Sequence, residues 1–518
     1  MSLRVFADSW SKTTGVMLLL ILGGLLFRVV LGLTIGLGVD ESYAVAVSRI
    51  WTLSYFDHPP LHFWLIGLAG KIFGTDYGIL LRLPFILLFA ATTWLMYRLG
   101  AVLFGNWAGV YAALIMNLSA VFSLSTGGWI LPDGPLMFFM LACVLVLVQL
   151  LFDPTQERSL FWWLAAGVLL GLGLLSKYHA VFIAFGAFLF IITSRTHRPL
   201  LLTAGPYLAL GIGLLIFSPV LIWNWQHDWA SFAFQGSRGL AKGWYPGRMM
   251  GNIAGQAAWV LPWIWLPLVG SWITSGLGGP GSTPEQSKRW FLSCLAAGPI
   301  LIFTFLTLCG AEGLFHWQAP GYLFLFPLLG RVVANRLACH NRKTAVWLRL
   351  SALVFILLIA VLASHTATGW LKTMNPSLFP QGDPSMEAYD WREVRPAFAA
   401  KGFLTQEHQA ELFVIAPHWI DAGKIDYALS GKLPVVCLSD EPHHFAFIRP
   451  IGSMLGKDAV IIGRPAVTER VLQQYGPYFQ SISPLGSVAI NRQGREELRL
   501  NWYYARNLMY GYPMPYGH

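Results

Sequence analysis

The 518-residue chain is 55% hydrophobic and only 12% charged, and its mean hydropathy is +0.56. These values exclude a soluble globular protein of ordinary composition. The net charge of +10 does not indicate a nucleic-acid partner, because the basic residues fall mostly between apolar runs, as in membrane proteins. Five scattered cysteines without a CxxC pair indicate neither a disulfide framework nor a zinc motif. The composition therefore predicts a polytopic membrane protein.

Long apolar runs predict about eleven membrane-spanning helices. The first run, at 16–37, is too long for a signal-peptide core and lacks a small-x-small cleavage site before Asp40, so we expect it to remain as the first span. The predicted spans lie near residues 14–38, 78–97, 101–122, 134–152, 160–176, 179–194, 200–222, 252–274, 290–310, 318–335 and 345–365.

The basic residues predict the orientation of these spans. With the N-terminus in the cytoplasm, the cytoplasmic turns carry Arg98, Arg158, Arg195, Arg198, Lys288, Arg289, Arg336, Arg342, Lys343 and Arg349. This is the positive-inside pattern. The other loops, rich in carboxylates, histidines and tryptophans, then fall on the outer face. We predict a multi-pass membrane protein whose polar loops lie on the outer face.

The composition changes after Trp370. Residues 371–518 have no membrane-length run, but short apolar stretches such as ELFVIAP, LPVVCL and DAVIIG alternate with amphipathic segments such as ERVLQQYG. This pattern predicts a small α/β soluble domain over 371–518, on the outer face. It follows a transmembrane domain over 1–370 that includes an amphipathic outer loop at 40–75.

Two carboxylates stand directly after the first apolar run, in GVDESYAVAVSR. Asp40 and Glu41 begin a segment whose apolar residues recur at helical spacing, which predicts an amphipathic helix in the interface. An acid at the edge of the hydrocarbon is costly and usually faces a water-filled cavity for a functional reason. The structural alternative makes Asp40 a helix cap and Glu41 a first-turn partner of the helix dipole. The residues alone leave both interpretations open.

The next outer element is the turn FDHPPLHFW, in which two prolines follow Asp57 and His58. Together with the preceding Asp40-Glu41, this turn resembles the GT-C family of membrane glycosyltransferases. Similar members are the protein O-mannosyltransferases, the aminoarabinose transferases of lipid A and the lipid A galacturonosyltransferases. The resemblance covers about residues 10–365 and implies a GT-C fold. It also implies that the transmembrane domain over 1–370 is catalytic, that its loop at 40–75 is periplasmic, and that the active site of this inner-membrane protein faces the periplasm.

The resemblance implies roles for particular residues. Asp40 matches the catalytic carboxylate that opens the first outer loop, and Asp133 in PDGPLMFF matches a second acid. Lys177 in GLLSKYHAVF matches a functional lysine, while His58 stands where the family often has a Lys that contacts the donor. The family transfers a sugar from a polyprenyl-phosphate carrier to an acceptor on the outer side of the membrane.

The chemistry of that reaction suits these residue types. Displacement at an anomeric carbon with a lipid phosphate leaving needs a base, cations and an apolar groove. Asp40 can be the base, because partial desolvation raises the pKa of a carboxylate. Asp133 can orient the acceptor or support Asp40, and a single displacement inverts the anomeric carbon. The candidate cations for the donor phosphate are His58, Lys177, Arg238 and Lys242.

Other polar residues of the outer loops are candidate substrate contacts, namely Glu41, Asp57, His227, Asp228, Glu312 and His316. Structural alternatives stand beside them: Lys177 can snorkel to the interface, and NWQHDW is typical of an interfacial aromatic belt. The pair His443-His444 favours a solvated loop over a metal site. No cofactor is implied with certainty. A divalent metal bridging Asp40, Asp133 and the phosphate stays open, beside a site in which Lys177 and histidines supply the charge.

The predicted function is an integral membrane glycosyltransferase that uses a polyprenyl-phosphate sugar and an envelope acceptor. That acceptor is lipid A or lipopolysaccharide, another glycolipid, a glycan or a protein. The alternative from another class is a polytopic transporter or lipid flippase, and a third is a non-enzymatic envelope assembly protein. Transporters place charges near the midplane in two related halves. Here no repeat is visible and the polar residues gather at one face, which favours the enzyme.

Overall fold

The computed structural model describes residues 12–153, 155, 159–239 and 243–516. The described part up to residue 374 is helical. Its helices are α1 (Lys12–Thr34), α2 (Val39–Ser48), α3 (Leu61–Phe73), α4 (Gly78–Phe104), α5 (Asn106–Asn117), α6 (Asp133–Phe152), α7 (Leu160–Ser176), α8 (Val181–Thr193), α9 (Gly205–Gln226), α10 (Ala230–Arg238), α11 (Pro246–Val260), α12 (Pro262–Leu277), α13 (Pro284–Leu308), α14 (Ala319–Leu323), α15 (Phe326–Ala338), α16 (Arg342–Thr368) and α17 (Trp370–Met374).

Six helices in the described ranges are long and apolar enough to cross a membrane, namely α1, α4, α6, α9, α13 and α16. The pair α11 and α12 would add a seventh span, but it bends by 109° at a break. Leu261 lies at this break with a φ of 80° and precedes Pro262. The apolar helices α3, α7 and α8 are shorter. The predicted runs coincide with helices, and the count of about eleven crossings stays a prediction.

Small residues let several of these helices approach closely. A Cβ atom added to Gly330 of α15 would lie 2.3 Å from the carbonyl oxygen of Ala108 in α5. One added to Gly167 of α7 would lie 2.6 Å from the carbonyl oxygen of Ala209 in α9. Close backbone packing of this kind replaces the hydrophobic driving force that helices lack inside a lipid bilayer.

The C-terminal residues form one mixed five-stranded sheet with short helices. The elements are α18 (Val394–Ala400), α19 (Gln406–Glu411), β1 (Leu412–Ala416), α20 (Trp419–Leu429), β2 (Val435–Cys437), α21 (Phe445–Ile448), β3 (Asp458–Gly463), α22 (Pro465–Thr468), α23 (Val471–Tyr475), β4 (Phe479–Arg492) and β5 (Arg495–Leu508). The strand order is β2-β1-β3-β5-β4, parallel among the first three and antiparallel at β5. The fully buried stretch LFVIA of β1 is continuous in apolar residues because it lies inside the parallel part.

Contacts divide the chain into two compact units. The first contains residues up to 29, 58–61 and 85–358, and the second contains 30–57, 62–84 and the residues from 359 onward. The second unit therefore joins the sheet to α2 and α3. Within it, α2 packs on α20 so tightly that a Cβ at Gly423 would lie 2.8 Å from the backbone nitrogen of Tyr43. The division of the sequence at residue 370 stays a prediction.

Candidate active site

The turn between α1 and α2, in the second unit, is fixed by Glu41. The Glu41 carboxylate accepts a hydrogen bond from the backbone N–H of Gly38, the N-cap of α2, at 2.7 Å. It also pairs with Arg82, whose Nη2 lies 2.6 Å from Oε2. Arg82 donates further to the carbonyl oxygens of Ile35 and Gly36, which directly follow α1. Both charged side chains are buried, so Glu41 stabilises the turn, and its predicted contact with substrate stays a prediction.

Asp40, one residue earlier in α2, is exposed and makes no hydrogen bond or ion pair with any residue that the structure describes. Capping is done by Gly38 and Glu41, so no bond supports the cap interpretation of Asp40. Although the side chain keeps accessible surface, desolvation by the surrounding protein raises the pKa of Asp40 to about 6. The smaller causes are the negative charges of Glu41, Asp57 and Glu387, which raise it, and His443, which lowers it.

Asp57 of the predicted HPPL turn is buried and bonded to the C-terminal part of the second unit. Its carboxylate accepts hydrogen bonds from the Tyr43 hydroxyl and bonds Nδ1 of His443. The backbone N–H of His444 donates to the Tyr43 hydroxyl at 2.9 Å, and the Phe56 N–H donates to Nδ1 of His444 at 3.0 Å. The prediction of a solvated loop at His443-His444 is wrong, because these hydrogen bonds and the burial of His444 hold it inside the protein.

In the first unit, Asp133 and Lys177 form a buried ion pair. Asp133 is the first residue of α6, where the helix dipole favours a negative charge. Lys177 lies between α7 and the 3-10 turn Tyr178–Ala180, with extended backbone angles. Its Nζ lies 3.0 Å from each carboxylate oxygen, and both residues are about one-twentieth exposed, at 5% and 4%. The ammonium therefore does not snorkel towards water in this structure.

Histidines and a further cation surround this pair. Burial, then the positive charge of Lys177, lowers the pKa of His316 to about 4; Asp133 opposes this effect and Arg238 adds to it. The guanidinium of Arg238 lies 5.5 Å from the ring centroid of Trp317, and its Nε lies 3.9 Å from the Glu312 carboxylate. The charges of Lys177, Asp133, His316 and His58 all act on the imidazole of His179. The first unit thus brings together Asp133, Lys177, His58, Arg238, Glu312 and His316.

A family model described as dolichyl-phosphate-mannose-protein mannosyltransferase matches residues 57–223. The lipid A galacturonosyltransferase RgtD of Rhizobium johnstonii is 26% identical over 333 residues, which cover 57% of this chain and 67% of that relative. Undecaprenyl phosphate-alpha-4-amino-4-deoxy-L-arabinose arabinosyl transferase 1 of Proteus mirabilis is 24% identical over 132 residues, which cover 26% of this chain and 24% of that relative.

The crystal structure of ArnT from Cupriavidus metallidurans bound to undecaprenyl phosphate superposes with a TM-score of 0.61 at 15% identity. The superposition covers 94% of this chain and 97% of that one. The chain is a member of the GT-C glycosyltransferase superfamily. The prediction of a membrane glycosyltransferase is therefore confirmed. In this GT-C glycosyltransferase, the matched family segment contains His58, Asp133 and Lys177, whereas Asp40 precedes it.

Two other candidates of this GT-C glycosyltransferase lie between α9 and α10. His227 stacks on Trp223 with ring centroids 4.2 Å apart and bonds the Trp223 carbonyl oxygen through Nδ1 at 2.8 Å. Asp228 is exposed, with a φ of 52°. This arrangement agrees with the interfacial-belt alternative. Lys242 lies outside the described residues, and among those described no three His, Cys, Asp or Glu side chains are grouped to hold a metal ion.

Sequence reasoning missed Arg28, a buried cation within α1 of this GT-C glycosyltransferase. Its Nη2 donates to Ser123 Oγ at 3.0 Å and to Asn117 Oδ1 at 3.3 Å, and its guanidinium lies 4.1 Å from the ring centroid of Phe89. Its Nε has no partner among the described residues. The signal was a single Arg inside the first apolar run, since ionisable residues in spans are costly and usually functional. Ser123 belongs to the π-helical turn Val121–Ser125, which precedes the segment leading to Asp133.

Proposed function

We propose that this GT-C glycosyltransferase transfers a sugar from a polyprenyl-phosphate donor to a glycolipid acceptor of the cell envelope. The names of the relatives support this, since one acts on lipid A, one uses an undecaprenyl-phosphate sugar and the superposed structure holds undecaprenyl phosphate. The positive-inside pattern supports an active site on the outer face of the inner membrane, and it supports the same location for residues 371–518. A lipid A-like glycolipid is the favoured acceptor over a glycan or protein.

The observation that carries the proposal is the state of Asp40. It is an accessible acid without a described bonding partner, and its pKa is raised to about 6. A general base works best when its pKa lies near the operating pH, because it is then ionised yet still basic enough to take a proton. We assign Asp40 to remove the proton from the acceptor hydroxyl as its oxygen attacks the anomeric carbon. The bond to the lipid phosphate breaks in the same displacement, which inverts the anomeric carbon.

The leaving phosphate needs positive charge, and we assign this role to Lys177. Both oxygens of the Asp133 carboxylate lie 3.0 Å from the ammonium, so Lys177 has little freedom to lose when a phosphate oxygen becomes a further partner. Arg238 and His58 are the additional cations, and a guanidinium can bind phosphate through two parallel hydrogen bonds. A requirement for a divalent metal is tested by adding EDTA to the same transfer assay.

The test compares envelope lipids by mass spectrometry in cells that lack the gene and cells that carry wild type, Asp40→Asn or Asp153→Asn. Asp153 is a matched control, because it bonds Thr155 in a loop predicted to be cytoplasmic. We expect a sugar-sized mass to disappear on deletion and to return with wild type and Asp153→Asn, but not with Asp40→Asn. Its equal return with Asp40→Asn would show that Asp40 is not the base. Movement of labelled lipid without a glycosylated product would favour the transporter.

A further inference from the structure

The first outer loop and the C-terminal residues of the second unit share one polar network. We infer that the C-terminal part supplies a positioning residue, His443, which holds Asp57 and sets the electrostatic surroundings of Asp40. This inference rests on the proposed function, in which Asp40 is the base. It gives the C-terminal residues a part in the transfer step that their sequence did not indicate.

The backbone at His443 is held in an uncommon conformation. Its φ of 52° lies in the left-handed region, which residues with a side chain seldom adopt unless their surroundings determine it. Its N–H donates to the Tyr516 hydroxyl at 3.0 Å, and its ring lies 4.7 Å from that of Trp419. Contacts from the chain end and from α20 therefore direct the imidazole onto the Asp57 carboxylate.

Asp57 has a neutral donor as well as this imidazole. The Tyr43 hydroxyl already donates to Asp57, so a purely structural role would need only a hydrogen-bond donor at position 443. Unlike a neutral donor, an imidazole can also carry a positive charge when it is protonated. Three acids, Glu41, Asp57 and Glu387, act on Asp40, and His443 is the group that opposes them. Glu41 is itself paired with Arg82, whereas Asp57 is bonded by His443.

The groups that face His443 come from several elements. Tyr43 and Trp419 contact its ring, Asp57 bonds it, and the Tyr516 hydroxyl accepts its N–H. His418 is close enough for the charge of His443 to act on it, and Glu441 precedes it in the chain. Of these groups, Asp57 bonds the imidazole directly, so it is the partner whose removal should have the largest effect.

The test is the pH dependence of sugar transfer by the purified full-length enzyme. His443→Gln keeps a donor for Asp57 but cannot carry a positive charge, so the pKa of Asp40 should rise. The acid limb of the rate profile should move to higher pH by about half to one unit, a ~3- to 10-fold loss of rate below the limb. Adding Asp57→Asn to this variant removes a neighbouring negative charge and should move the limb back. His443→Lys should keep the limb near its wild-type position.

His340→Gln is the matched control, because His340 is exposed and bonds only a nearby carbonyl oxygen among the described residues. Should His443→Gln yield little folded protein, His443→Asn is the second neutral variant. A limb that is present in wild type and unmoved by either neutral variant would overturn the inference. A wild-type profile without an acid limb, or full activity of Asp40→Asn, would instead count against Asp40 as the base.

Discussion

Replacing Lys177 by Met should both destabilise and inactivate the protein, and the two effects can be separated. The ammonium lies 3.0 Å from both oxygens of Asp133, and both side chains are buried. At an effective dielectric constant of about 20, a unit charge pair at this distance attracts by ~5 to 6 kcal/mol. Removing one partner of a buried pair typically costs ~3 to 5 kcal/mol, because the other charge is left buried without compensation.

A second substitution tells the structural role of the pair from the functional one. Replacing both members, as Asp133→Leu with Lys177→Met, removes the uncompensated charge, and well-packed apolar replacements of buried pairs are often neutral or stabilising. We therefore expect the double variant to recover most of the lost stability. If Lys177 neutralises the donor phosphate, the double variant should stay inactive.

The stability measurement is thermal unfolding in detergent, followed with a thiol-reactive dye. Cys143, Cys294 and Cys437 are buried, so they should react with the dye on unfolding, whereas the exposed Cys339 should contribute a constant signal from the folded protein. The single variant should unfold several degrees lower than wild type, and the double variant close to wild type. Transfer activity is measured on the same preparations. Recovery of activity together with stability in the double variant would refute the functional role of Lys177 and leave the pair as a structural element.

Three further predictions concern Glu41, Gly127 and His316. Glu41→Gln keeps the cap on Gly38 but removes the carboxylate that is paired with the buried Arg82, so it should lower the unfolding temperature. Glu469 is exposed, so the control Glu469→Gln should change the free energy of unfolding by under ~0.5 kcal/mol. Gly127→Ala should impair folding and activity, because its Cβ would lie 2.3 Å from the Ser123 carbonyl oxygen and 2.8 Å from Arg28 Nε. A Cβ at the neighbouring Gly128 would lie 3.8 Å from the nearest atom, so the control Gly128→Ala should behave as wild type. In the folded protein the pKa of His316 is lowered from its ordinary value of 6.5 to about 4. As the pH falls from 6.5 to 4, the unfolded chain therefore takes up a proton at His316 that the folded protein does not, and the free energy of unfolding decreases. His316→Gln should flatten that fall in thermal unfolding between pH 6.5 and 4, and an unchanged slope would contradict the assignment.

The sequence by itself determined the membrane character, the positions of most helices and the apolar stretches that became strands. Length and hydrophobic period decide these features locally, because lipid and a buried parallel strand both demand continuous apolar residues. The motifs around Asp40, Asp133 and Lys177 can also be recognised in the sequence, since acids and lysines beside apolar runs are uncommon.

The tertiary structure alone decided which of these side chains are bonded to one another. Asp40 and Glu41 are adjacent in sequence, yet Glu41 is buried on Arg82 while Asp40 is accessible, because the packing of α4 puts Arg82 against only one of them. Arg28 was passed over because its partners, Asn117 and Ser123, lie far along the chain. The link from Asp57 to His443 joins the segment between α2 and α3 to the C-terminal residues. The local hydrophobic pattern does not predict such pairs. It determines which face of a helix or strand is buried, but the packing of distant elements determines which residues that face contacts.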